Sequence, residues 1–453
     1  MTGHEEKSGL VRTLIDNSFL LIAGAVTALL WANLASPIPV ESGDPLAPLE
    51  TSYTRFVEFD LTSLWSDHEV ATDSEATDSE ATEAADEAEQ DGKENHGGHH
   101  GLTIHFVIND ILMALFFAIA AKEVWESLLP GGALSNPRKA ATPLLATVGG
   151  IAGPALVYIA GCYFTGTQDI FGKGWAVPCA TDIAFSYLIA RMIFGVGHPA
   201  IAFLLLLAIA DDAAGLMILA VAYPQATLQF QWFLLTGGAM ALAFFLRKGN
   251  VQSHWVYLLG PGLMCWYSFY QANIHAALGL VPIIPFLPHA HTDLGMFAKA
   301  EQNRDDTLNE FEHFWKTPVE FFLGLFGLAN AGVVMSSLGT GTWLVLAGLL
   351  LGKPLGITAM TLFAEKVLKL QKPAGMDYRH VVTLGMVAGI GFTVALFVSV
   401  AAFTDPGPVQ DSVKMGALLS FAAAPLAILI AKMLRVRPEP RPSIDPEAVP
   451  DAS

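Results

Sequence analysis

The stretch "LLLLAIADDAAGLMILA", Leu204 to Ala220, is apolar throughout except for two adjacent aspartates, Asp211 and Asp212. The apolar run that holds them, 199–221, is long enough to cross a bilayer, and the pair falls near its middle. One charge at that depth costs about 2.5–3.5 kcal/mol on insertion scales, and two neighbouring carboxylates also repel each other. Such a pair is kept only for a function, or because a partner elsewhere in the chain makes it tolerable.

The rest of the chain agrees with a membrane setting. Of 453 residues, 53% are hydrophobic and 15% are charged, where a soluble domain carries about 25% charged residues. Twelve apolar runs read as spans: 14–34, 104–127, 141–165, 175–194, 199–221, 227–246, 252–270, 272–288, 318–336, 342–364, 380–403 and 412–434. The first is full-length and has no convincing cleavage site, so it reads as a signal anchor. The fold class is therefore an all-α polytopic membrane protein. Its transmembrane domain covers 14–435, between an inner N-terminal segment 1–13 and an inner tail 436–453. Eighteen of the 24 Lys and Arg residues lie on the side of the membrane that holds both termini, which makes that side cytoplasmic. Cys162, Cys179 and Cys265 all lie in apolar runs and read as small buried hydrophobes.

The net charge of −18 says little about partners, because residues 65–100 alone carry twelve acids and one lysine. That insertion repeats ATDSE at 71–75 and 76–80, and its composition predicts disorder. Its His96, His99 and His100 could bind a metal, but a solvated loop end is the simpler reading. Nothing in the composition points to nucleic acid.

Two runs have polar, Gly- or Pro-broken centres. The fourth contains "WAVPCATDIAFSY" (175–187), with Pro178, Thr181 and Asp182, and the eleventh contains "GMVAGIGFTVALF" (385–397), with Gly389, Gly391 and Thr393. They occupy matching places in two oppositely directed sets of three spans, the third to fifth and the tenth to twelfth. Such inverted repeats with interrupted helices mark a midplane site in transporters. Lys353, in "LLLGKPLGIT", lies about halfway along the tenth run. Adjacent helical residues point about 100° apart, so Asp211 and Asp212 face different neighbours. One can meet Lys353 while the other faces a cation cavity. Hard cations take oxygen ligands, which Asp212, Asp182, Thr181 and freed carbonyls could supply. A carboxylate that binds either a cation or a proton couples the two by competition.

The motifs "ATDIAF" (180–185), "LAIADDAAG" (207–215), "LANAGV" (328–333), "GKPLGI" (352–357) and "GIGFTVALF" (389–397) resemble those of NhaA-type sodium/proton antiporters. The resemblance covers about 101–435. It implies that Asp212 is the main ion carboxylate, that Thr181 and Asp182 of the broken fourth span assist it, and that Lys353 pairs with Asp211. It implies interrupted helices crossing at the midplane, with Gly389 and Gly391 in the unwound part. It also implies a set of pH-response residues: Asp110 in "INDILMALFF" (108–117), Glu123 in "KEVWESL" (122–128), His275 in "NIHAAL" (273–278), and Glu312 and His313 in "FEHFWKTPV" (311–319). Two departures stand out. Trp125 replaces a lysine of the family's pattern, with the second acid shifted to Glu126, and the segment after His313 lacks a later histidine.

The reading is an electrogenic secondary transporter of the bacterial inner membrane, not an enzyme. It exports sodium, and lithium, in exchange for protons, which serves pH and sodium homeostasis. It needs no ATP and no organic cofactor. The resemblance also implies a homodimer, with the loop after the first span carrying the contact. A potassium-preferring antiporter and a sodium symporter are the related alternatives. An intramembrane aspartyl protease is disfavoured because its two acids must face each other, and a membrane scaffold because buried charges are costly.

Overall fold

The computed structural model describes residues 19–35, 51–63, 102–132, 134–195, 197–289, 306–404 and 406–436. The segment 1–13, the acidic insertion 65–100 with its three histidines, and the tail beyond 436 lie outside them. The described chain is nearly all helical, with a lone backbone bridge between Asp60 and Thr103.

The helices in chain order are α1 (Phe19–Leu34), the short α2 (Ser52–Val57), α3 (Ile104–Leu128) and α4 (Pro137–Thr165). Next come α5 (Gln168–Cys179), largely a 3-10 helix, and α6 (Ile183–Phe194). They are followed by α7 (Pro199–Ala222) and α8 (Phe230–Lys248). The helical stretch 254–271 is α9, and α10 is Thr307–Asn330. The remainder are α11 (Thr340–Lys366), α12 (Tyr378–Ala388), α13 (Phe392–Ala402) and α14 (Pro408–Met433). Among the described residues six helices are long and apolar enough to cross a membrane, or eight if each of two bent pairs counts as one span. The exterior is apolar as well. Phe164 and Leu234 are each 85% exposed, which suits a lipid solvent rather than water.

Prolines decide where the helices depart from regularity. The long helix expected over 272–288 is replaced by two 3-10 turns, Ala276–Leu278 and Val281–Phe286. Pro282 and Pro285 supply no backbone N–H there, so a continuous ladder cannot form. In α9 a π-turn, Leu258–Gly262, surrounds Pro261. In α11 another π-turn, Gly348–Gly352, precedes Lys353 and Pro354. A π-turn carries extra residues per turn and re-aims the side chain that follows it, and here that side chain is Lys353.

Glycines let α4 and α11 touch backbone to backbone. A Cβ on Gly149 would stand 2.1 Å from the Gly356 carbonyl oxygen, one on Gly356 2.0 Å from the Gly149 oxygen, and one on Gly153 2.3 Å from the Gly352 oxygen. Small residues four apart on both helices are the usual device for close packing in lipid. It fixes Lys353, the neighbour of Gly352, against the centre of the molecule.

At that centre α5 gives way to α6 at 54° and α12 to α13 at 50°. The linking residues, 180–182 and 389–391, lie against each other. The Asp182 N–H donates to the Ile390 carbonyl at 2.7 Å, the Thr181 hydroxyl to the Ala388 carbonyl at 3.2 Å, and the Ser186 hydroxyl to the Val387 carbonyl at 3.1 Å. Carbonyls left free at the second break are thus satisfied by one backbone N–H and two hydroxyls at the first, as apolar surroundings demand. Gly391 has φ −111°, open to any residue. Its need for glycine comes instead from close approach, since a Cβ there would stand 2.9 Å from the Ala180 carbonyl oxygen.

At the far end of α10 the turn that follows Asn330 is held from two sides. The Tyr53 hydroxyl lies 2.9 Å from both the Leu328 and Ala329 carbonyls, to which it donates, and accepts from the Gly332 N–H at 3.1 Å. Burial pushes the Tyr53 phenol well up, so it stays a donor. The Asn33 side chain donates to the Val333 carbonyl at 2.9 Å and accepts from the Met335 N–H at 2.7 Å.

Candidate functional site

The site lies where α7 and α11 meet the two breaks. Lys353 is wholly buried. Its ammonium donates to Asp211 Oδ2 at 2.9 Å and to the Cys179 carbonyl at 2.5 Å. That carbonyl is unclaimed by a helix because α5 ends there. The Thr181 hydroxyl donates to the same Asp211 oxygen at 2.8 Å. Asp211 is thus a buried carboxylate with two donors and an opposite charge, the condition under which burial of a charge is tolerable.

Asp182 serves the breaks. Its Oδ1 accepts from the Phe185 N–H at 3.3 Å and caps α6. Its Oδ2 accepts from the Thr393 hydroxyl and, at 3.3 Å, from the Thr393 N–H at the start of α13. One carboxylate therefore sits at the N-termini of two half-helices, where the positive ends of both dipoles favour it.

Asp212 differs from both. It is half-buried, and its carboxylate makes no hydrogen bond or ion pair among the described residues. The charged groups near enough to act on it are Asp211, Glu123, Asp182 and Lys353. The adjacent aspartates therefore diverge: Asp211 is fully engaged, while Asp212 keeps its oxygens open.

The other expected residues fall into two groups away from this centre. Toward one end, Lys122 makes an ion pair with Glu126 at 2.6 Å and a second with Glu312. Glu123 lies among Glu312, Lys122 and Lys316, and it is also a charged neighbour of Asp212. His313 is exposed and stands outside this cluster. Toward the opposite end, Asp110 and His275 pair at 3.2 Å, and the His275 ring meets Phe397 of α13 at 4.6 Å.

Sequence reasoning passed over Lys122 and Thr393 as partners. Lys122 opens the segment "KEVWESL" but was not taken as a partner there, although its spacing of four from Glu126 is a visible pairing signal. Thr393 was noted only as part of a broken centre. Its bond to Asp182 joins residues 211 apart in the chain, a contact for which the sequence carries no local signal.

The family model described as Na+/H+ antiporter 1 matches residues 82–431. The Na(+)/H(+) antiporter NhaA of Jannaschia sp. (strain CCS1) is 46% identical over 443 residues, covering 93% of this chain and 96% of its own length. The NhaA of Geotalea uraniireducens (strain Rf4) is 51% identical over 348 residues, 76% of this chain and 89% of its own length. That of Geobacter sulfurreducens is 42% identical over 429 residues, 94% and 98% of the two chains. The solved sodium proton antiporter MjNhaP1 of Methanocaldococcus jannaschii aligns with a TM-score of 0.45 and 13% identity over 72% of this chain and 87% of that one, too distant for comparison by residue. A model match over most of the chain, with relatives this similar over nearly their whole length, places it in a family, and the chain belongs to the NhaA Na+/H+ antiporters.

Proposed function

We propose that this chain is an electrogenic secondary transporter that exports sodium, and lithium, in exchange for protons, and that Asp212 is the carboxylate for which the two ions compete. The observation that carries this reading is the contrast between the aspartates. Asp211 is committed to Lys353 and Thr181, whereas Asp212 has no protein partner among the described residues. An open carboxylate beside a buried ion pair must be protonated or hold a cation, and either state excludes the other.

Thr181 and Asp182 complete the oxygen set in this proposal. The Thr181 hydroxyl gives its hydrogen to Asp211 and keeps lone pairs for a cation. Asp182 holds the half-helices together through Oδ2, and its Oδ1 accepts a long 3.3 Å bond from the Phe185 N–H. Exchange of one sodium for one proton on Asp212 moves no net charge. Charge movement therefore requires a second group that changes its partner during the cycle, and the Asp211–Lys353 ion pair beside Asp212 is the one in place for it. The arrangement argues against an aspartyl protease, because Asp211 cannot face a substrate bond while Lys353 and Thr181 hold it.

Around this centre we place twelve spans, with α5–α6 and α12–α13 as the interrupted fourth and eleventh, related by an inverted repeat and crossing at the midplane, with Gly389 and Gly391 in the eleventh's unwound link. Both termini are cytoplasmic, in the inner membrane of a bacterium, and the protein is a homodimer in the lipid bilayer. The transport serves pH and sodium homeostasis. Glu123, Glu312 and His313 on the cytoplasmic side, and Asp110 and His275 on the other, tune its response to pH. The test is sodium-dependent dissipation of an imposed pH gradient in proteoliposomes. Wild-type protein should dissipate it on sodium addition, and faster when the membrane potential favours net charge entry. A sodium-independent signal would refute antiport.

A further inference from the structure

The half-helix α5 is a 3-10 helix over Gly172–Cys179 and contains Pro178. Its internal bonds have the poorer 3-10 geometry, and Pro178 donates none, so its placement depends on partners outside it. Two buried tyrosines supply them. The Tyr158 hydroxyl of α4 donates to the Phe171 carbonyl at 2.9 Å, just before the 3-10 turns begin. Tyr223, which closes α7, acts within those turns. Its hydroxyl donates to the Lys173 carbonyl at 2.7 Å and accepts from the Ala176 N–H at 3.3 Å. Those two groups have the i, i+3 spacing of one 3-10 bond, so a single hydroxyl bridges both ends of one turn. The Tyr223 ring stacks on Trp175 of the same turn, with centroids 6.4 Å apart and planes inclined by 28°. Tyr223 is 7% exposed, so water cannot readily stand in for its hydroxyl.

We propose that Tyr223 is a positioning residue for antiport: its hydroxyl sets α5 so that the Cys179 carbonyl reaches Lys353 and the Thr181 hydroxyl reaches Asp211. The turn it bridges leads directly to Cys179, where α5 ends and whose carbonyl accepts from the Lys353 ammonium. Thr181 follows in the link and donates to the same Asp211 oxygen as Lys353 does. Helix α7 therefore carries the aspartate pair near its middle. About 16 Å further along its axis it carries the group that grips the half-helix bearing their partners. A slide or rotation of α5 against α7 moves the oxygens of Cys179 and Thr181 together, and the Tyr223 bridge opposes that motion. The effect on transport rests on the antiport reading.

Two measurements on full-length protein separate this inference from that reading. The first is alkylation by N-ethylmaleimide in lipid nanodiscs, read at each cysteine by peptide mass spectrometry, and it needs no transport. Cys179 is buried, with its thiol against the Ile151 and Trp175 carbonyls at 3.4 and 3.6 Å, and it reports on the end of α5. Cys265, buried in α9, is the control within the same molecule. Tyr223→Phe keeps the ring on Trp175 and removes only the hydroxyl. It should speed alkylation of Cys179 about tenfold, the order expected for one orphaned buried donor, and leave Cys265 at the wild-type rate. Unchanged alkylation of Cys179, or equal acceleration at both cysteines, would overturn the positioning role whatever transport shows. The second is sodium-dependent exchange in proteoliposomes. The apparent KM for sodium should rise several-fold in Tyr223→Phe while the maximal rate stays within about twofold of wild type, because the displaced group is an ion oxygen. An unchanged KM, with or without a lower maximal rate, would overturn the role in antiport. Wild-type protein without sodium-dependent exchange would refute the antiport reading and the role in transport with it, while alkylation still decides whether Tyr223 holds α5.

Discussion

At the scale of single residues, the account turns on a division of labour between neighbours. Asp211 and Lys353 hold each other in a site closed to water. Removing one member of such a pair orphans the other at a cost of about 3–5 kcal/mol. Asp211→Asn and Lys353→Ala should each lower the melting temperature of the detergent-solubilised protein. Asp211→Asn combined with Lys353→Gln should recover much of the loss, because no lone charge remains, and it should keep sodium/proton exchange through Asp212 with less charge moved per cycle. Additive losses in the double variant would show that the two do not act as a pair. The existence of this pair is legible in the sequence, since charges in apolar runs announce themselves and 3.6-residue geometry separates Asp211 from Asp212. Which oxygens Thr181 and Asp182 meet is not, because Thr393 and Cys179 reach the site through folding of distant segments.

At the scale of elements, backbone approach sets the geometry. Gly391 abuts the Ala180 carbonyl, and Gly149 and Gly356 abut each other. A leucine at 391 must push the two links apart, so Gly391→Leu should insert at wild-type levels yet exchange sodium for protons at least tenfold more slowly, a change of about 1.4 kcal/mol in barrier. Wild-type rates there would argue that the links need not touch. The sequence marks Gly391 only as part of a broken centre, and the structure shows the close contact that requires glycine there. The run 272–288 also reads differently in sequence and structure. Its hydrophobicity is that of a span, but Pro282 and Pro285 deny it the helical ladder, which a count of apolar residues does not register.

At the scale of the whole molecule, a charged insertion is attached to an apolar body. Residues 66–100 lie outside the described residues, and their composition is that of a solvated segment, in which charges are screened beyond about 8 Å at physiological ionic strength. Deleting 66–100 should leave maximal exchange in proteoliposomes within about twofold of wild type, with any change confined to apparent sodium affinity at low salt. Loss of exchange in a correctly inserted deletion protein would give the insertion a part in the chemistry. The membrane-spanning class is legible from composition and from the length of the apolar runs. The Lys122–Glu126–Glu312 cluster is not, because Glu312 reaches Lys122 from 190 residues further along the chain.

The central claim is that sodium and protons compete for Asp212, and proton release on sodium addition tests it most directly. Purified protein in weakly buffered detergent solution at alkaline pH should release protons when sodium is added. Asp211→Asn with Lys353→Gln should still release them, in smaller number, and Asp212→Asn should release none. Sodium-induced proton release by Asp212→Asn comparable to wild type would contradict the account.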